Sequence, residues 1–259
     1  MADVERERRG AVQILRINRP EARNSLNAAV LTGIGLGVQE ADADPDVRAV
    51  VITATGDRAF CAGMDLRGFA SGTGGAQSDE DRAGAAAYTR FIRQGSTKPV
   101  VAAANGTAVA GGFELLLACD MAVAASGAKF GVPEVKRALF PAGGGIFLSR
   151  RIPMAIALEL TLTGDTMDAE RAFALGLVNR VVPQDQVLDE AVTLAERITA
   201  NGPLAVQATK QLVRAASAQP PAEVWALQEQ LQPVVFGSED AKEGATAFIE
   251  KRDPVWRGR

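Results

Sequence analysis

The sequence predicts an α/β fold whose sheets are wound through crossovers rather than built from hairpins. Three observations carry this reading. Apolar runs of strand length occur at Val47–Thr55, Pro99–Ala104 and Met121–Ala125. Strand, glycine turn and helix follow one another near residues 52–66, 101–117 and 178–192, with no strict sequence repeat. From Gln186 onward the pattern is helical almost throughout, broken at Asn201-Gly202-Pro203, Gln219-Pro220-Pro221 and Gly237-Ser238.

Taken in order, Val12–Asn18 alternates apolar and polar residues, as a half-buried strand does, and Pro20 breaks it. Ser25 or Asn24 is placed to cap a helix running to about Asp42. That helix contains Gly33, Gly35 and Gly37, so packing must hold it where propensity does not. Asp44–Asp46 is a turn, and Val47–Thr55 is a buried strand ending at Gly56-Asp57. Arg58–Phe69 goes again from strand to glycine turn, with Asp65 positioned as a cap. Ala70–Ala76 is rich in Gly and Ser and reads as a mobile surface loop before a helix from about Arg82 to Gln94. Pro99–Ala104 is a buried strand and Asn105–Thr107 a turn. Gly111 and Gly112 then open an apolar helix carrying Glu114. Met121–Ala125 is a strand, Ala128–Glu134 a short strand and turn, and Ala138–Gly145 a glycine loop leading into a helix near Phe147. Ile156–Thr163 and Asp168–Ala174 are helical, the latter stopping at Gly176, and Leu177–Val182 is a strand ended by Pro183.

A chain of 259 residues suits one large domain or a domain with an appendage. With 47% hydrophobic and 23% charged residues, it has the composition of a water-soluble globule. Net charge −3 argues against a general nucleic-acid binder. No run of 18 or more apolar residues exists, so no membrane span is expected, and the charged N-terminus lacks the apolar core of a signal peptide. Two cysteines, Cys61 and Cys119, make no disulfide framework, and reduced thiols in a cytoplasmic protein are the expectation. There is no histidine. This excludes Ser-His-Asp and Cys-His catalysis and every His-containing zinc site, and two cysteines cannot build a Cys-only one. No metal site is expected. Chemistry is left to carboxylates, lysines, tyrosine, thiols and backbone dipoles.

Neither a Walker phosphate loop nor a G-x-G-x-x-G behind the first strand is present. The glycines at 143–145 read most simply as a tight turn. The stretch Asn105–Asp120 (N-G-T-A-V-A-G-G-F-E-L-L-L-A-C-D) is different. The first N–H groups of a helix have no internal partner, carry the positive end of the dipole, and can be approached closely beside glycine. Such a start suits a bound anion or an oxyanion formed during reaction. Glu114, just inside it, either caps the helix or does chemistry. A-F-C-A-G-M-D-L offers a second amide of the same kind. Two amides converging on one carbonyl oxygen are what acyl chemistry through an enolate needs. Glu134, in F-G-V-P-E, is a weak signal alone.

Together these stretches resemble the crotonase superfamily, and most of all its enoyl-CoA hydratases. The likeness rests on R-P-E-A-R-N-S-L-N, A-F-C-A-G-M-D-L, N-G-T-A-V-A-G-G-F-E-L, F-G-V-P-E-V-K, L-T-G-D-T-M-D-A-E-R-A, G-L-V-N-R-V-V and E-G-A-T-A-F-I-E-K-R, in family order across nearly the whole chain. The C-terminal segment is also similar to carnitinyl-CoA dehydratases. The resemblance implies a ββα spiral core with the acyl-CoA site over residues 1–195. It implies a helical segment over 196–259 that builds trimers or hexamers and closes the CoA site. By position it makes the amides of Met64 and Gly111 the oxyanion hole and Glu114 and Glu134 the catalytic pair. Glu134 would protonate the α-carbon while Glu114 activates water. It places Ala22, Arg23, Ala62, Asp65, Leu66 and Arg67 along the CoA and acyl path, with Phe248 and Lys251 reaching CoA on a neighbouring subunit. Arg23, Arg67 and Lys251 also read as solvated surface charges, and Asp65 as a structural cap. No cofactor is implied, since coenzyme A is part of the substrate. The chain departs from the family at Ala110 and Ala142, where many relatives have glycine, and at Ile146 and Phe147, which make that wall more apolar.

Overall fold

At the centre of the structure lie three strands built from the apolar runs. They are β3 (Ala49–Ala54), β5 (Val100–Ala104) and β7 (Met121–Ala125), and apart from Met121 every residue in them is buried. The computed structural model describes residues 2–65 and 78–259, so the expected loop at 70–76 lies outside the described residues. Strands buried on both faces read as continuous apolar runs because no side points to water. Two further strands flank them on one side, β1 (Val4–Arg9) and β2 (Val12–Ile17), and β10 (Arg180–Val182) on the other. The order is β1-β2-β3-β5-β7-β10. All neighbours run parallel except β1 and β2, which form an antiparallel hairpin with Arg9 opposite Val12. The expectation of a sheet without hairpins is corrected there. β1 reads V-E-R-E-R-R, and its charges suit an edge strand that must not recruit another chain.

A second, smaller sheet has the order β4-β6-β8-β9: β4 (Ala59–Cys61), β6 (Thr107–Val109), β8 (Lys129–Gly131) and β9 (Met167–Asp168). Thr107, expected in a turn, instead begins β6 and pairs with Ala59. β4, β6 and β8 each follow a central strand after a bend, so the chain passes from the large sheet to the small one. This places the ends of β4 and β6 side by side.

Helix α1 (Ala28–Ala43) is capped by Asn27, whose side chain accepts from the Val30 amide, not by Ser25 or Asn24. Asn24 is buried and spends its side chain elsewhere: its Nδ2 donates to the carbonyls of Thr55 and Ala59, and its Oδ1 accepts from the Arg19 amide. The glycines of α1 serve close packing. A Cβ at Gly35 would meet the backbone of Gly84 and Tyr88 in α2 (Asp79–Gln94). α3 (Gly111–Ala118) packs on β6, β4, α2 and the 3-10 segment Gly145–Arg150; α4 (Met154–Thr163) follows, and α5 (Ala169–Ala174) leads towards β10. Then come α6 (Val187–Thr199), α7 (Pro203–Ala216), α8 (Pro221–Phe236) and α9 (Glu239–Glu250), with breaks at the three expected positions. α6 buries Val187, Ala191, Val192 and Ala195. α7 is latched to the core by charge: Asp120 pairs with Lys210 at 2.7 Å and Arg214 at 2.8 Å, and its Oδ2 accepts from the Val100 amide.

Candidate active site

Two turns, each following a strand of the small sheet, meet at one place. The first leaves β4 through Ala62-Gly63-Met64. The Ala62 amide donates to the Arg23 carbonyl, the Leu26 amide to the Gly63 carbonyl, and the Asp65 amide to the Leu26 carbonyl. The second leaves β6 through Ala110, whose amide donates to the Gly131 carbonyl and whose own carbonyl accepts from Phe113 and Glu114. Between these anchored peptides, the amides of Met64 and Gly111 have no acceptor among the described residues. They border one spot: a Cβ at Gly111 would lie 3.8 Å from the Met64 nitrogen, and one at Gly63 would lie 3.2 Å from the Gly111 nitrogen. Gly112, next in line, lies directly on the Cys61 carbonyl and has no room for a side chain.

Glu114 does not cap α3: the helix has no side-chain cap hydrogen bond at its N-cap, Ala110, whose amide donates to the Gly131 carbonyl. Its Oε1 instead accepts from the amides of Gly143, at 2.7 Å, and Gly145, at 2.8 Å. The side chain is buried. Burial pushes its carboxyl above the ordinary glutamate range, while the Gly145 and Gly143 amides pull it back. Glu134 is the second residue of the 3-10 turn Pro133–Arg137. Its Oε2 is buried and has no hydrogen-bond partner among the described residues. Burial raises its carboxyl as well. A bond from its own backbone amide lowers it, the charge of Glu114 raises it further, and Arg137 opposes that rise. Gly145 joins the two segments, since a Cβ there would stand 3.0 Å from Val132 Cγ1 and 3.2 Å from Glu114 Oε1. Two carboxyls, each disfavoured as an anion by burial and Glu134 also by the charge of Glu114, form an arrangement suited to holding a proton on one of them.

These shifts have a consequence for stability. A carboxyl whose value rises on folding favours the folded state when protonated. That contribution is complete in acid, below the unfolded value, and is lost as pH rises through the folded one. Glu114→Gln keeps an oxygen for the Gly143 and Gly145 amides and removes the charge. Its Tm relative to the parent is therefore expected to increase from about pH 4 to neutrality. Paired thermal melts across that range check this.

The other nucleophile class is closed. Cys61 and Cys119 are free and buried, and burial pushes both thiols up to about 12. Of the residues expected along the CoA path, Ala22, Arg23, Ala62 and Asp65 gather at the first turn. Arg23 is exposed with φ 52°, and Asp65 pairs with Arg19 at 3.1 Å. Leu66 and Arg67 lie outside the described residues. Phe248 and Lys251 close α9, exposed, and among the described residues neither hydrogen-bonds to the Arg23 or glutamate segments. Residues not singled out for the site are Gly143 and Gly145. Their glycine-rich context signals a turn, but nothing local reveals that their amides serve a carboxylate 29 and 31 residues earlier.

The sequence matches the family Enoyl-CoA hydratase/isomerase over residues 7–259. It is 40% identical to enoyl-CoA hydratase EchA19 of Mycobacterium tuberculosis over 255 residues, covering 98% of this chain and 96% of that one. It is also 40% identical to the carnitinyl-CoA dehydratase of Salmonella agona over 257 residues, 97% of each chain. A crystal structure of an enoyl-CoA hydratase from M. tuberculosis H37Rv superposes with a TM-score of 0.91 at 46% identity, covering 100% of both chains. With both turns and both glutamates in place on this fold, the chain belongs to the enoyl-CoA hydratase/isomerase family of the crotonase superfamily.

Proposed function

We propose that this protein is an enoyl-CoA hydratase, a hydro-lyase that adds water reversibly across the 2,3 double bond of an enoyl-CoA thioester. The observation that carries the reading is the pairing of Glu114, pinned by two amides, with Glu134, whose buried Oε2 has no partner among the described residues, beside two amides that lack acceptors among those residues. Attack of water at the β-carbon moves electrons onto the thioester oxygen. The Met64 and Gly111 amides are the donors for that charge, and losing one such donor typically costs about 3–4 kcal/mol of transition-state stabilisation. Glu114, held by Gly143 and Gly145, orients the water and takes its proton. Glu134 delivers a proton to the α-carbon, so the added atoms sum to one water. Microscopic reversibility makes the same pair serve dehydration. No metal or separate cofactor enters these steps, and coenzyme A arrives as part of the substrate.

The CoA handle is read by the turn carrying Ala22, Arg23, Ala62 and Asp65, with Leu66 and Arg67 following. Phe248 and Lys251 serve the site of a neighbouring subunit. Residues 1–195 form the catalytic core and 196–259 the assembly segment of a trimer or hexamer. The exposed apolar residues Trp225, Val234 and Phe236 on α8 fit such a role. A water-soluble, cytoplasmic enzyme of fatty acid β-oxidation fits this chemistry. A second reading is favoured by the likeness to a carnitinyl-CoA dehydratase: the same groups working on a 3-hydroxyacyl-CoA in the direction of water loss. The test is incubation of the purified protein with crotonyl-CoA and longer enoyl-CoA thioesters, following the loss of conjugated absorbance and the mass gain of one water. Hydration supports the reading. No hydration at any chain length, together with no dehydration of 3-hydroxyacyl-CoA, overturns both readings.

A further inference from the structure

We propose that the Ala110 methyl is the spacer that sets the gap between the Met64 and Gly111 amides, which makes Ala110 a positioning residue; this inference rests on the acyl-CoA reading above. Ala110 has φ 52° and ψ −134°. Residues with a Cβ are excluded from this region far more strictly than from the ordinary left-handed one. Arg23, Ala138 and Lys251 also have positive φ, but with ψ of 36°, 32° and 42° they sit in the left-handed helical region. Glycine would adopt the Ala110 conformation without cost. The chain keeps a methyl there, and three hydrogen bonds hold it: the Ala110 amide to the Gly131 carbonyl, and the Phe113 and Glu114 amides to the Ala110 carbonyl.

The methyl faces the other turn. Gly63 has φ 86°, and a Cβ on it would lie 2.7 Å from the Ala110 Cβ. Gly63 is bonded to Met64, and Ala110 to Gly111. The methyl therefore stands between the two peptides whose amides must converge on one oxygen. Donors serve an oxyanion only over a narrow range of distances, and an error of about 1 Å can cost about 100-fold in rate. Glycine at 110 removes the spacer and releases the strain in a single change. Stability and carbonyl polarisation then move in opposite directions, whereas loss of a merely structural contact lowers both.

The experiment uses the full-length protein with butyryl-CoA labelled with carbon-13 at the thioester carbonyl. The carbonyl stretch of the bound ligand is read by isotope-edited infrared difference spectroscopy, beside Tm and the kcat for crotonyl-CoA. The parent protein is expected to shift the stretch to lower frequency. Ala110→Gly is expected to lose much of that shift, to lose about tenfold or more in kcat, and to gain about 3 °C or more in Tm. Ala110→Ser keeps a Cβ and is expected to retain the shift without the gain in Tm. Ala110→Gly with the parent's carbonyl shift, or with a lower Tm, overturns the inference. A parent that polarises the carbonyl but hydrates no enoyl-CoA overturns the hydratase reading alone, and the comparison of variants still decides the role of Ala110. A parent that binds no acyl-CoA, or leaves its carbonyl unshifted, overturns both.

Discussion

Glu114→Gln and Glu134→Gln are each expected to lower kcat for enoyl-CoA hydration by at least about 100-fold, the lower range for a lost general acid or base. The two losses have different causes. At position 114 the amide oxygen still accepts from Gly143 and Gly145, so the side chain stays in place and only its basicity goes. KM is then expected to change little, because substrate binding does not use that charge. At position 134 the variant has no acidic proton for the α-carbon. Exchange of the α-hydrogen with solvent deuterium, measured on the product thioester, is expected to stop in Glu134→Gln and so isolates that half of the reaction. The double variant is expected to be little worse than the poorer single one, since either loss already disables the addition of water. Rates at the parent level in either single variant would sink the two-carboxylate mechanism.

A second large effect is expected from the smallest possible change. Gly112→Ala would place a methyl inside the Cys61 carbonyl group, 2.6 Å from its carbon. The obstruction is backbone on a strand paired with β6, so no side chain can swing aside. α3 and β4 must move apart, at a cost of about 3 kcal/mol or more, the upper end for overpacking. The same separation pulls Gly111 from Met64. The expected result is a Tm lower by several degrees together with a loss of about 100-fold or more in kcat. Gly127→Ala is the control: it has open space around it and is expected to leave Tm where it was. A Gly112→Ala protein with parental Tm and rate would show that the two turns tolerate a separation that this packing forbids.

The parts of the fold legible in the sequence are those whose burial is simple. β3, β5 and β7 are covered on both faces, and their unbroken apolar runs announce it. The C-terminal helices are punctuated by Pro and Gly at the true breaks. β1 was not legible, because an edge strand made of Glu and Arg has no apolar face to show. Of β6 only Thr107 carries a local signal, and that signal is for a turn, because three residues are too few for a period of two to appear. The cap of α1 was misplaced by two or three residues, since Asn24, Ser25 and Asn27 are all suitable and only tertiary contacts decide among them. At the site, the helix start and its glycines could be read from local chemistry. Glu134 came forward only through likeness to a family. The grip of Gly143 and Gly145 on Glu114 joins distant segments and leaves no local trace.

One consequence of that grip concerns engineering. Ile146 and Phe147, the exposed apolar pair that an evolution campaign would randomise to admit bulkier acyl groups, follow Gly145 without a break. Libraries at 146 and 147 are therefore expected to trade turnover for scope, because each new side chain also tugs on the peptide that holds Glu114.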